Sequence, residues 1–154
     1  MATAIDIGPG ATNRSSTQAA DYTVVDLANP ANDSGYLDVF EVWAATDLTG
    51  CKIGTFSGSG LNYNDRDFET IGNVTSGSKQ TFTGKNCDVL TGDYLGAYFA
   101  TGTLEADTSA GSNTYTKSGD WFGTGAQAYS ENPGDAVSIY ATGITSGQLF
   151  MIIF

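Results

Sequence analysis

Short segments rich in Val, Ile, Tyr, Phe and Thr recur along this chain about every 8 to 12 residues, separated by Gly, Asn, Asp and Ser. Apolar residues at helical spacing are almost absent. This spacing indicates a sandwich or barrel, and the fold expected is all-β, an antiparallel two-sheet β-sandwich with jelly-roll-like strands. Strands are predicted near residues 3–7, 21–27, 36–45, 51–57, 61–71, 78–83, 86–90, 93–100, 102–107, 113–117, 136–142 and 148–154. Turn residues mark the breaks, among them Asn29-Pro30, Asp33-Ser34-Gly35, Gly58-Ser59-Gly60, Thr91-Gly92-Asp93 and Asn132-Pro133-Gly134. All three prolines fall outside any expected central strand.

Alternation within a segment indicates how each strand is covered. From Asp93 to Ala100 one face carries Tyr94, Gly96 and Tyr98 and the other Leu95, Ala97 and Phe99. Both faces are apolar, as in a central strand covered on both sides. From Leu61 to Ile71, Asp65, Asp67 and Glu69 share one face while Arg66 and Phe68 lie on the other, the pattern of an outer strand with one solvated face. No internal repeat or long low-complexity linker divides the 154 residues, so 1–154 reads as a single domain.

Six basic residues against seventeen acidic ones give a net charge of −11, which repels the phosphates of nucleic acids and anionic lipid heads. Neither a nucleic acid nor a membrane is therefore an expected partner. Met1 to Gly10 has no basic region followed by an apolar run, so it does not read as a secretory signal. The longest apolar run, Leu149 to Phe154, is six residues against the roughly 20 that a spanning helix needs. Cys51 and Cys87 stand alone, which excludes a CxxC or zinc-knuckle spacing and leaves either one disulfide or two buried thiols. In a chain without an export signal, two buried thiols are the ordinary outcome.

The chain has no histidine, so Ser-His-Asp and Cys-His catalysis are excluded, and no GxxxxGK[ST] phosphate loop is present. Paired carboxylates are the one enzymatic arrangement left, with Asp65, Asp67, Glu69, Glu105 and Asp107 as its candidates. Alternating acids on a strand are more often a hydrated face, and the expectation is a protein that is not an enzyme and needs no cofactor. Asp65, Asp67 and Glu69 could also serve as oxygen ligands for Ca²⁺, although no EF-hand loop accompanies them.

The segment from Thr108 to Asn132 is the loosest in the chain. Its aromatics Trp121, Phe122, Tyr115 and Tyr129, with Tyr63, could stack on sugar rings or on a partner protein. Trp43 lies in an apolar segment and is read as a core residue. Sequons at Asn13, Asn32 and Asn73 are read as chance matches in a chain full of Asn, Ser and Thr. The end of the sequence carries Leu149, Phe150, Ile152 and Phe154, a surface that would be hazardous as an exposed sheet edge. It is expected either as an internal strand or against a neighbouring subunit by strand addition.

Val25-Asp26-Leu27-Ala28-Asn29-Pro30-Ala31-Asn32, Val42 through Phe56 and Gly92 through Gly102 resemble a loosely described group of phage-like and environmental β-sandwich proteins. The resemblance extends over most of residues 3 to 143. It implies a virion surface component, a head decoration protein or a tail-fibre domain, made in the host cytoplasm, that self-associates and contacts other virion proteins. It carries over no catalytic or cofactor residue. The first functional expectation is thus a virion structural protein, a homo-oligomer such as a trimer. A carbohydrate- or receptor-binding module that uses the loop aromatics on a surface glycan is the second, and a filament subunit joined by strand exchange through residues 148–154 is the third.

Overall fold

The computed structural model describes residues 4–109 and 112–146. They form β1 (Ala4–Ile7), β2 (Ser16–Ala19), β3 (Tyr22–Asp26), β4 (Gly35–Ser59), β5 (Asn62–Val74), β6 (Lys79–Phe82), β7 (Cys87–Val89), β8 (Tyr94–Tyr98), β9 (Thr101–Asp107), β10 (Asn113–Ser118), β11 (Ala126–Ala128), β12 (Ser130–Pro133), β13 (Ala136–Val137) and β14 (Ile139–Thr145). The antiparallel all-β expectation is met, since every paired ladder is antiparallel. The strands join into one 14-stranded network, with the path β1-β14-β4-β8-β3-β10-β12 and the remaining strands branching from it, instead of two separate sheets. Among the described residues no helix is long and apolar enough to cross a membrane. The strand expected at 148–154, with Leu149, Phe150, Ile152 and Phe154, lies outside the described residues.

Strand β4 is the spine, 25 residues long, where the sequence predicts two strands separated by Asp47, Thr49 and Gly50. Its first part pairs with β14 on one side and with β6 and β7 on the other. Its middle pairs with β9, and its last part lies between β8 and β5. The gap left between the predicted strands 36–45 and 51–57 is instead a run of irregularities within one strand, with register shifts between Ala44 and Thr46, Thr46 and Thr49, and Leu48 and Cys51. Gly50, at φ 60, takes up the kink. Pairing with β9 and β5 therefore carries the strand through this stretch, with bulges where the sheet bends.

The irregularity changes which side chains point inward. Phe40, Val42, Ala44 and Leu48 enter the main core at even positions, and Cys51 and Ile53 enter the same core at odd ones. That core collects Ile5, Ile7, Leu37, Ile139 and Ala141 from the part built on β1, β14 and early β4. It also collects Val24, Leu95, Ala97 and Leu104 from the part built on β3, β8 and β9. One part of the network thus faces the other across a common interior. Each fully buried Leu, Ile or Phe contributes roughly 1.5–3 kcal/mol by leaving water.

Strand β8 shows the two-sided burial expected from its alternation. Leu95 and Ala97 lie in the main core, while Tyr94 and Tyr98 pack on a second cluster on the opposite face. Gly96 in β8 and Gly54 in β4 are direct cross-strand partners beneath that second cluster. A methyl group on Gly96 would run into the Phe56 ring and come within 2.7 Å of the Val24 carbonyl oxygen. On Gly54 it would come within 2.8 Å of the Phe122 ring. Glycine here is a requirement of close approach, because aromatic rings lie directly on the backbone.

At the other end of the network, the outer edge of β1 is closed by side chains. Asn32 accepts from the Asp6 N–H (2.9 Å) and donates to the Ala4 carbonyl (3.1 Å), imitating a paired strand. The Asn29 carbonyl accepts from the Gly8 N–H (3.0 Å), and the Asn29 amide donates back to the Gly8 carbonyl (3.1 Å). A further strand cannot add there without displacing both asparagines.

Candidate functional site

Four of the five aromatic residues that could offer a binding platform, Tyr63, Tyr115, Phe122 and Tyr129, belong to a second core. Phe122, Tyr115 and Tyr129 are 6%, 7% and 4% exposed, and they pack with Phe56 and Tyr63 on the outer face of the β4-β8-β3-β10 region. Ring centroids lie 5.2 Å apart for Phe56–Phe122, 4.9 Å for Tyr63–Tyr115 and 5.1 Å for Phe68–Phe122, in tilted arrangements suited to aromatic pairs. Burial pushes the Tyr129 phenol up to about 12 and the Tyr63 phenol up as well. These rings cover one another, and a sugar would have to displace the chain to reach them.

The segment after β10 holds this cluster down. Thr23 donates its hydroxyl to the Gly119 carbonyl (2.8 Å) and accepts from the Trp121 N–H (3.0 Å). Asp65 accepts from the Gly123 N–H (2.8 Å) and the Gly125 N–H (3.0 Å), and β11 then adds to β5. Of the five candidate ligand aromatics, Trp121 alone keeps a solvent-facing part. Its indole N–H donates to the Ser118 carbonyl (2.7 Å), and Lys117 Nζ sits 4.5 Å from the ring centre. Tyr22, 38% exposed, lies opposite Ser118 in the register.

The candidate carboxylates are each committed to another part of the chain. Asp67 accepts from the N–H groups of Phe68 (2.9 Å) and Asp88 (2.8 Å), and Glu69 accepts from the Asn86 N–H (3.1 Å). With Asp65, they stitch β5 to the 86–88 segment and to the 123–125 loop. Among the described residues no group of three potential ligands stands ready for a metal ion. Glu105 and Asp107 converge on Arg14. The Arg14 N–H donates to Glu105 (2.6 Å), its guanidinium donates to Asp107 (2.8 Å) and to the Ser138 hydroxyl (2.7 Å), and Arg14 holds the Asp107 carboxyl below its usual range. This locks the segment before β2 onto β9 and onto Ser138, between β13 and β14. Among the described residues no pocket is found for any of these acids to line.

The two cysteines take the ordinary one of their two expected outcomes, and the expectation for one tryptophan is corrected. Cys51 and Cys87 are both free and buried, so the disulfide alternative does not hold. Burial pushes each thiol up to about 12, which removes thiolate reactivity at neutral pH. Trp43, read as core, points outward. Its neighbours Val42 and Ala44 are inside, and by strand alternation Trp43 shares the outer face of β4 with Glu41 and Val39. The bulky residue in the apolar strand is thus at the surface, and Phe122 in the loop is inside.

Sequence reading also missed Asp26, fully buried at the end of β3. Its carboxylate accepts from the N–H groups of Ala28 (2.9 Å) and Val137 (3.0 Å), tying β3 to β13. Burial raises it to about 6, against the lowering effect of those bonds and of Arg14. Thr114, its cross-strand neighbour in β10, is buried with a hydroxyl that has no hydrogen-bond partner among the described residues. The signal available in the sequence was one acid ending the apolar run Val24-Val25, which alone does not reveal burial.

No family model matches the chain, and no curated protein or solved structure matches it.

Proposed function

We propose that this chain is a non-catalytic structural protein that works by self-assembly and by displaying its surface, as in a phage head decoration protein or a tail-fibre domain. The observation that supports this reading is how the reactive and aromatic side chains are used. Asp65, Asp67, Glu69, Glu105 and Asp107 hold backbone or Arg14, and Phe122, Tyr115 and Tyr129 hold one another. Such commitments make a stiff frame, and stiffness suits a particle component whose neighbours must meet it in one geometry. A net charge of −11 keeps the free protein soluble and steers it away from nucleic acid.

Light scattering after size exclusion, over a wide concentration range, tests the proposal. Discrete homo-oligomers are expected, and a strict monomer at the highest concentration refutes it.

One observation favours a second reading, a glycan-binding module. Trp121 and Tyr22 present aromatic surface beside Lys117 at one end of the sheet. A specific glycan-array signal lost in Trp121→Ala would support that reading, and silence across the array would remove it.

A further inference from the structure

Among the described residues one buried side-chain oxygen has no hydrogen-bond partner, Thr114 Oγ1. Thr114 is the cross-strand partner of Asp26, and both residues are fully buried. Opposed residues of an antiparallel pair share a face with Cβ atoms about 4.5–5.5 Å apart, so this hydroxyl and this carboxyl stand side by side in the interior. No hydrogen bond joins them in the structure. A buried hydroxyl left unbonded costs free energy, and its place next to a buried acid gives it a use.

The other polar groups of this joint are already engaged. Asp26 Oδ1 accepts from the Ala28 N–H and Oδ2 from the Val137 N–H, so each carboxyl oxygen meets a donor. An ionised Asp26 is served by these two bonds. A protonated Asp26 carries an O–H as well, and that hydrogen needs an acceptor. On its other side, β8 sets Leu95 against Asp26 and offers no side-chain oxygen.

We propose that Asp26 and Thr114 form a buried proton site, in which neutral Asp26 donates its O–H to Thr114 Oγ1, and that this site makes the joint between β3, β10 and β13 respond to mild acid. The proton comes from solvent, one negative charge disappears, and Thr114 keeps its own hydrogen. A turn of Thr114 about χ1, from one staggered position to another, is the motion required. The inference is independent of what the protein assembles with.

The surrounding charges set the response. Arg14 favours the ionised form, although its guanidinium and N–H are shared with Asp107 and Glu105 of β9. Asp135, just before β13, opposes the ionised form as a like charge. Burial outweighs the two N–H bonds and Arg14, and it raises the carboxyl to about 6. Above that value the interior holds a carboxylate beside an unbonded hydroxyl, and below it the two groups satisfy each other. Stability gained through this site is thus lost as pH rises from the ordinary 3.8 through about 6. The part of the chain that responds is the crossing 134–138, which leads from β12 to β14.

A carboxyl-carbon NMR titration of the full chain reads the Asp26 midpoint, with Thr114→Val and Thr114→Ser alongside and circular dichroism to check folding. Valine keeps the shape of threonine and leaves no unbonded hydroxyl, so the variant should fold. The parent midpoint is expected near 6. Thr114→Val should lower it by about 0.5–1 in pH, the loss of one hydrogen bond to the neutral form, and Thr114→Ser should keep the parent value. A packing role alone would shift the melting temperature and leave the midpoint in place. An unchanged midpoint in Thr114→Val overturns the proposal, and a raised one does so by showing that the hydroxyl serves the ionised form. A parent midpoint near 3.8 removes the site altogether. In the parent itself, three-bond couplings should show the Thr114 χ1 changing between about pH 5 and about pH 7. A χ1 that stays fixed overturns the proposal without recourse to any variant.

Discussion

Replacing Asp26 with asparagine should flatten the response of this protein's stability to mild acid. The carboxyl of Asp26 has an ordinary value of 3.8 and is raised to about 6 in the folded chain, chiefly by burial. Because the folded state holds the proton more tightly than the unfolded chain, acidification from about pH 6 to about pH 4 stabilises the fold. Above pH 6 the residue is ionised in both states, and its unfavourable contribution is constant. The full effect, a difference of about 2 pH units at ~1.4 kcal/mol each, is about 3 kcal/mol. Between pH 7 and pH 5 the gain is about 1 kcal/mol. The groups facing Asp26 are Arg14 and Asp135, and Asp135 is also raised by burial, so it adds the same trend to both proteins. Asp47 and Asp107 are lowered, and their contributions are lost only as pH falls below their ordinary value of 3.8, outside this window. Urea unfolding of the parent and Asp26→Asn at pH 7 and pH 5 would measure the difference. Asparagine offers one oxygen where the carboxylate serves two N–H groups, so the variant is offset at every pH by about 1–3 kcal/mol for the bond lost. The diagnostic is the slope. If the two proteins change stability in parallel between pH 7 and pH 5, the argument from burial is wrong.

Two further outcomes follow from the packing. Gly96→Ala should cost about 1–3 kcal/mol and lower the melting temperature by several degrees, because its methyl group must displace the Phe56 ring or the Val24 carbonyl; an unchanged melt would mean that the aromatic layer yields easily. Native protein should show no thiol fast enough to react with a disulfide reagent at pH 7, and urea should release both Cys51 and Cys87; no titratable thiol under urea would show that they are bonded after all.

Much of the frame was legible in the residues themselves. Turn chemistry and β-rich segments located β1, β3, β5, β6, β7, β8, β9 and β10 to within a few positions, because glycine and asparagine end strands for local reasons that any neighbour would respect. The double-sided burial of β8 could also be read, since apolar residues on both faces have nowhere else to go. The polar strand β2 and the short β11 and β12 were not legible. Ser16–Ala19 carries no strand signal, and extends because Thr17 pairs with Glu105.

By itself, then, the sequence determined the strand-and-turn character of this protein, its acidity and its want of histidine, all of which depend on residue type and short-range spacing. Only the tertiary structure decided that β4 continues through Asp47 and Gly50, that Trp43 lies outside while Phe122 lies inside, and that Asp65 clamps a loop 58 and 60 residues away. Alternation says which residues share a face, and it is silent about what covers that face. The cover, like the partner of each carboxylate, comes from segments distant in the chain, and burial is a property of the whole packed arrangement.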